Sequence, residues 1–191
     1  MADATGTLMR EGIAIIPTDT IYGVVASTFS KIAVERAYRI LRRNPKKPFI
    51  ILISSITDLA LFNVNLDADT KKILKKLWPG KISIVLPVTF PKFHYLHCGT
   101  KTLAFRMPKK PSLLKLLKKT GPLISSSANP QGKKPAETIA QAKKYFGDKI
   151  DFYISGGKIK SLPSTLVEIK RGKINVIRKG SAKIPNSLLD R

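Results

Sequence analysis

The chain has 191 residues, 43% of them hydrophobic, and 35 Lys and Arg face 12 Asp and Glu for a formal net charge of +23. That length and apolar content suit one well-buried domain. A single cysteine, Cys98, excludes an internal disulfide framework and a cysteine-based zinc cage. No apolar run approaches the length of a bilayer span, and no charged-then-apolar leader opens the chain. A soluble, cytoplasmic protein without membrane contact is expected. The positive field predicts polyanionic partners, nucleic acid first. The basic residues come as doublets throughout, Lys71-Lys72, Lys75-Lys76, Lys118-Lys119 and Lys143-Lys144 among them. Charge spread this way gives no sign of sequence-specific reading.

In chain order, residues 2–11 read as a short helix or a mobile arm. Residues 13–16 are a strand, which Pro17 ends by removing a backbone donor. Thr18, Asp19, Thr20 and Tyr22 follow within six residues, and Gly23 is expected to turn the chain back. An apolar strand that breaks into a polar loop marked by Pro and Gly is how an α/β sheet commonly presents a ligand site. Residues 30–42 are helical, with Val34, Ala37, Tyr38 and Leu41 at i, i+3, i+4 and i+7. Residues 49–53 form a buried strand. Asp67 or Asp69 caps a helix that turns Ile73, Leu74 and Leu77 inward and stops at Trp78-Pro79-Gly80. Residues 82–88 and 102–106 are strands, 111–119 a helix, and 123–126 a strand. Residues 137–146 are a helix. Residues 152–154, 165–169 and 174–177 are strands, the last two joined as a hairpin across 170–173. Early alternation and late local pairing predict an α/β fold: one domain over residues 6–180, a twisted mixed sheet with covering helices. Residues 181–191 read as a loose C-terminal tail.

A second loop, Leu123-Ile-Ser-Ser-Ser-Ala-Asn-Pro-Gln-Gly132, repeats the pattern of the first. Its serine hydroxyls can donate to anionic oxygens, and Asn129 can donate and accept. Small side chains also leave backbone N–H groups open to phosphate. It matches neither a Walker A loop nor a dinucleotide fingerprint.

Seven short motifs occur in order: Pro17-Thr-Asp-Thr-Ile-Tyr-Gly23, Arg43-Asn-Pro-Lys-Lys-Pro48, Trp78-Pro-Gly80, Leu103-Ala-Phe-Arg-Met-Pro108, Ser127-Ala-Asn129, Pro163-Ser-Thr165 and Ile177-Arg-Lys-Gly180. Together they resemble the YrdC/TsaC family, the threonylcarbamoyl-AMP synthases, over nearly the whole chain. The resemblance implies a twisted mixed sheet with a basic concave face. It implies synthesis of threonylcarbamoyl-AMP and pyrophosphate from L-threonine, bicarbonate and ATP. Magnesium would arrive with ATP, no prosthetic group is expected, and no resident metal site. A transferase partner would then modify adenosine 37 of tRNA, and tRNA or double-stranded RNA is an expected partner of the chain. By position in the motifs, Thr20, Tyr22, Thr102, Arg106, Ser125 and Ser164 correspond to L-threonine contacts. Arg43, Lys47, Ser127, Asn129 and Arg178 correspond to ATP contacts, with Arg43 and Lys47 as the catalytic pair.

The chain departs from the family pattern in places. Leu41 stands where a lysine is usual, Leu52 where some relatives carry His, Val24-Val25 after Tyr22-Gly23, and Lys81 where Pro is common. Arg42 or Lys46 would have to supply the charge missing at Leu41. A non-catalytic RNA-binding paralogue on the same fold is therefore the alternative, and carbamoyl-adenylate chemistry on another acceptor a third reading. The cluster His94-Tyr-Leu-His97-Cys98 reads as an incidental loop between Pro91 and Gly99.

Overall fold

The structure is a computed structural model describing residues 2–170 and 172–188. After helix α1 (Ala2–Met9), strands β1 (Ile13–Pro17) and β2 (Tyr22–Ser27) form an antiparallel hairpin, Ile13 opposite Ala26 and Pro17 opposite Tyr22. Thr18 folds the connection. Its hydroxyl donates to the Ile21 carbonyl at 2.6 Å and accepts from the amides of Thr20 and Ile21 at 3.1 and 3.2 Å. The turn expected at Gly23 therefore falls earlier. Gly23 lies inside β2, opposite Ser127. Tyr22, Val24 and Val25 suit a pleated, half-buried surface, and that outweighs the one glycine. Gly23 serves close approach instead: a Cβ there would stand 3.2 Å from both Ser125 Oγ and Thr18 Cγ2.

Helix α2 (Lys31–Leu41) starts at Ser30, whose side chain accepts from the Ala33 amide at 3.1 Å. Strand β3 (Ile50–Leu52) is shorter than expected and leads into a 3₁₀ helix, Ile56–Phe62. Asp67 caps helix α3 (Ala68–Leu77), accepting from the Thr70 amide at 2.7 Å. Strand β4 (Ile82–Pro87), the one-turn helix α4 (His94–His97), β5 (Thr102–Arg106), α5 (Pro111–Thr120), β6 (Leu123–Ser127) and α6 (Ile139–Phe146) follow. Strands β7 (Phe152–Tyr153), β8 (Thr165–Lys170) and β9 (Lys173–Arg178) complete one mixed sheet, ordered β7-β1-β2-β6-β3-β5-β4-β8-β9. Lys170 pairs with Lys173 across the expected hairpin. Of its turn residues, Gly172 has φ +75, and Arg171 lies outside the described residues.

Side-chain alternation gives the sheet two unlike faces. One face carries Ile15, Val24, Ile51, Phe105, Ile84 and Val167, which join α2, α3 and α6 through Val34, Leu74 and Phe146 in the main core. The other face is covered by α1 and α5 only near β1, β2 and β3. There Leu8, Leu113, Leu116 and Leu117 pack on Ile16, Val25 and Leu52. Beyond that patch Ser125, Thr102, Ala104, Val85 and Leu166 are only half-buried. The candidate site lies on this less covered face.

The segment after Gly180 is not a free end over the described residues. Ile184 and Leu188 join the main core. The Ser181 amide donates to the Pro163 carbonyl at 2.8 Å, and the Thr165 hydroxyl to the Ala182 carbonyl at 2.5 Å. A side chain at Gly180 would collide with the Pro163–Thr165 backbone, so glycine is required for this close pass.

Candidate active site

The ends of β1, β2, β5 and β6 surround a small open cleft of about 100 Å³. Thr18, Thr20 and Gly23 form one wall, and Ser125, Ser126 and Ser127 the strand beside it. Arg43, Arg106, Ser164 and Arg178 enter from other elements, over a floor that includes Ile50 and Leu52. The two polar loops singled out in the sequence meet here because β2 pairs with β6, Gly23 opposite Ser127 and Val25 opposite Ser125.

Arg106 is the most constrained group in the cleft. Its Nη1 donates to the Thr20 hydroxyl at 3.1 Å, and its Nη2 lies 3.1 Å from Asp19 Oδ1, both side chains being 4% exposed. Its Nε is buried with no hydrogen-bond partner. Burial lowers the Arg106 pKa, Asp19 opposes that, and Arg178 adds to the lowering. The other Asp19 oxygen, Oδ2, accepts from the Lys109 amide at 3.0 Å.

Arg43 follows the left-handed cap residue Arg42 (φ 50) at the end of α2. Its Nε donates to the Lys47 carbonyl and its Nη2 to the Pro48 carbonyl, each at 3.0 Å, and its Cζ sits 5.1 Å from the Phe49 ring centroid. Tyr38 braces the same loop. Its hydroxyl donates to the Lys47 carbonyl at 3.1 Å, and its ring packs 4.3 Å from Phe49. Arg178 is tied by Nη2 to the Ser164 carbonyl at 2.9 Å. Burial lowers the pKa of both Arg43 and Arg178, and Arg178 lowers Arg43 further. Three guanidiniums thus converge on one cleft, and only Arg106 has a carboxylate partner among the described residues.

Of the expected residues, Thr20, Arg43, Arg106, Ser125, Ser127, Ser164 and Arg178 line the cleft. Four are elsewhere. Tyr22 is fully buried on the core face, where its hydroxyl donates to the Gly157 carbonyl at 2.7 Å and accepts from the Gly156 amide at 2.8 Å. Thr102 shares the open face with Arg106 but starts β5, near Thr100. Lys47 is exposed outside the lining and contributes its carbonyl to Arg43. Asn129 turns its amide into its own loop, donating to Pro130 and Lys133 carbonyls at 3.0 and 2.8 Å. Leu41 is 2% exposed in the main core. Arg42 and Lys46 are exposed and outside the lining, so neither replaces its charge in this conformation.

Three contributors were not anticipated from sequence: Thr18 as the turn's hub, Ser126 in the wall, and Asp19 as partner of Arg106. A hydroxyl two residues before another, next to a proline, signals such a side-chain-stabilised turn. The Asp19–Arg106 pairing spans 87 positions and has no local signal. The His94 cluster is a one-turn helix instead of a loop. His97 is buried, its Nδ1 accepting from the Gly99 amide at 3.2 Å. Among the described residues no group of three His, Cys, Asp or Glu is placed to hold a metal.

The fold and site define an α/β domain with a mixed sheet and an arginine-lined cleft. The Sua5/YciO/YrdC family model, described as "Telomere recombination", matches residues 7–180, and the chain belongs to this family. It is 33% identical over 174 residues to a protein of Methanocaldococcus jannaschii named putative threonylcarbamoyl-AMP synthase, covering 91% of this chain and 82% of that one. The structure of Pyrococcus abyssi Sua5 complexed with L-threonine superposes with a TM-score of 0.86 at 28% identity, covering 93% of this chain. The match spans 53% of that longer protein. Escherichia coli YciO shares the fold, with a TM-score of 0.84 at 23% identity over 95% of this chain and 89% of its own. No helix among the described residues is long and apolar enough to cross a membrane.

Proposed function

We propose that the cleft makes threonylcarbamoyl-AMP and pyrophosphate from L-threonine, bicarbonate and ATP. The observation that carries the reading is the convergence of Arg43, Arg106 and Arg178, of which only Arg106 has a carboxylate partner among the described residues. Like charges are held together at a cost unless an anion completes the site. The substrates supply a carboxylate, a carbamate and a triphosphate.

In the proposed reaction the threonine amine and bicarbonate lose water to give a carbamate. A carbamate oxygen attacks the α-phosphorus of ATP, and pyrophosphate leaves with its electron pair. Such a step depends on positioning and charge stabilisation, with little need for a general base. The cleft fits that division of labour. Arg106, fixed by Thr20 and Asp19, takes the threonine side with Ser125 and Ser164. Arg43 and Arg178 take the phosphates with Ser127. The Arg106 fork holds Thr20 and Asp19 and its Nε is buried without a hydrogen-bond partner, so the amino-acid carboxylate reaches this guanidinium by displacing part of that arrangement. Asp19 is committed to Arg106 and the Lys109 amide, so magnesium enters as part of the ATP substrate. Tyr22, Thr102, Lys47 and Asn129 take part only if ligands or loop movement bring them in. The product would pass to a transferase acting on adenosine 37 of tRNA in the cytoplasm.

Leu41 favours a second reading. Its side chain sits in the core where family members place a cation, which suits a non-catalytic RNA-binding paralogue. Pyrophosphate release from ATP and bicarbonate, with and without L-threonine, separates the two. Threonine-dependent release, lost in Arg43→Ala, supports the synthase. No release, together with no threonine binding, supports the paralogue.

A further inference from the structure

We infer that RNA docks on the side of the sheet covered by α2, α3 and α6, across α3 and the β8–β9 hairpin, and not in the arginine-lined cleft. The sequence places Lys71, Lys72, Lys75 and Lys76 within six residues, and helical spacing sorts them into two rows one turn, about 5.4 Å, apart. Ile73, Leu74 and Leu77 are buried, so the four lysines occupy the solvent side. Lys72 and Lys76 share a groove with Lys173 from the start of β9, floored by Ile73 and Leu188. Among the described residues Asp69 is the one carboxylate lining that groove, and it lies 3.5 Å from Lys72. Lys71, Lys75, Lys76 and Lys173 have no carboxylate partner among the described residues. The groove at α6 is poorer: Lys134 and Lys144 share it with Glu137.

This surface has the chemistry of a phosphate-backbone track. Two neighbouring elements carry mobile ammonium groups, and nearly all are uncompensated. Lysines of this kind bind as point charges, without geometric selection, and release counterions. A second copy of the chain is excluded as occupant by its own charge of +23. The position also has a consequence. The core side chains of α3 join the face of the sheet that carries Ile84, Phe105 and Val167. The cleft opens on the opposite face, beside Leu52 and Ser125. RNA and the small substrates therefore bind at the same time. The inference is independent of the reaction assigned to the cleft.

The test is fluorescence anisotropy of a tRNA transcript and a short RNA duplex over a salt series. The proteins are wild type, a variant with Lys71, Lys72, Lys75 and Lys76 all changed to Ala, a Lys118→Ala/Lys119→Ala control on α5, and Arg43→Ala. Alanine keeps helix propensity, and circular dichroism with thermal melting checks that all the variants are folded. The α3 variant is expected to bind at least about tenfold more weakly, with a shallower salt slope, while the α5 control and Arg43→Ala bind as wild type. Saturating ATP and threonine leave RNA affinity unchanged. Unchanged binding by the α3 variant overturns the inference, as does displacement of RNA by ATP. Equal competition by polyglutamate at matched charge overturns RNA as the occupant, and so does failure of wild type to bind either RNA.

Discussion

Arg106 and Asp19 meet at 3.1 Å with both side chains 4% exposed, and the same guanidinium holds the Thr20 hydroxyl. The pair joins the first polar loop to the central strand β5. Removing one partner of a buried ion pair leaves the other charge uncompensated, at a cost of about 3–5 kcal/mol. Asp19→Asn is expected to lower stability by removing the charge that compensates Arg106, and to release the guanidinium from its fixed orientation. Threonine KM should then rise by more than ATP KM. Urea unfolding and initial rates at varied threonine check this. Equal changes in both KM values would show that Asp19 does not orient the amino-acid side.

Burial lowers the pKa of Arg43, Arg106 and Arg178, and the nearby Arg178 charge adds to the lowering at the other two. Arg178→Gln is accordingly expected to change the apo melting temperature little. Wild type should gain far more than this variant from ATP: ligand at about 100 times Kd stabilises by about 2.7 kcal/mol. Thermal shift with and without ATP measures the difference. An equal ATP shift in both proteins would remove Arg178 from the phosphate site.

Tyr38 reaches Arg43 through the loop, sharing the Lys47 carbonyl with Arg43 Nε. Tyr38→Phe removes the hydroxyl's contacts to the Lys47 carbonyl and to Cys98 Sγ, at about 0.5–1.5 kcal/mol for a typical hydrogen bond, and keeps the ring against Phe49. The ATP KM is expected to rise a few-fold with threonine KM unchanged. A fall in kcat alone would point instead to a transition-state contact.

Leu41→Lys does not restore a phosphate-facing charge. The Leu41 side chain is in the main core, so the substitution buries an ammonium and loses apolar contacts. A loss of at least about 2–5 kcal/mol is expected, by comparison with buried Leu→Ala. Denaturant unfolding reports it, and higher pyrophosphate release than wild type would contradict it.

Burial, then His94 and Lys101, hold the His97 pKa below the ordinary imidazole value. A depressed folded-state pKa means that the unfolded chain binds the proton more readily. The contribution to stability is therefore present above about pH 6.5 and is lost as pH falls towards the folded value. His97→Gln should flatten the decline of stability between about pH 7 and 5 relative to wild type. An unchanged slope would show that His97 does not contribute.

Much of the fold was legible because periodicity is local. The α2 stripe of Val34, Ala37 and Leu41 appears as expected, and Asp67 is the cap of the two candidates, Asp67 and Asp69. The strand beginning at Tyr22 was missed because glycine is ambiguous between turn and close approach, and only the Ser125 and Thr18 contacts decide it. The site was legible as types of residue and in part as a place. Seven expected residues share the cleft, joined by the β2–β6 pairing. Tyr22 and Lys47 could not be placed from a motif, since one step along a strand reverses the face, and a loop backbone can use a carbonyl in place of a side chain. The Asp19–Arg106 pairing depends on the sheet order, which no local pattern encodes.

The most direct test supplies carbon-labelled bicarbonate, ATP and L-threonine to the purified protein and follows the label by mass spectrometry. The synthase reading predicts labelled threonylcarbamoyl-AMP only when all three substrates are present, and its loss in Arg43→Ala. Label-free AMP alone, or no nucleotide product under any combination, would contradict it.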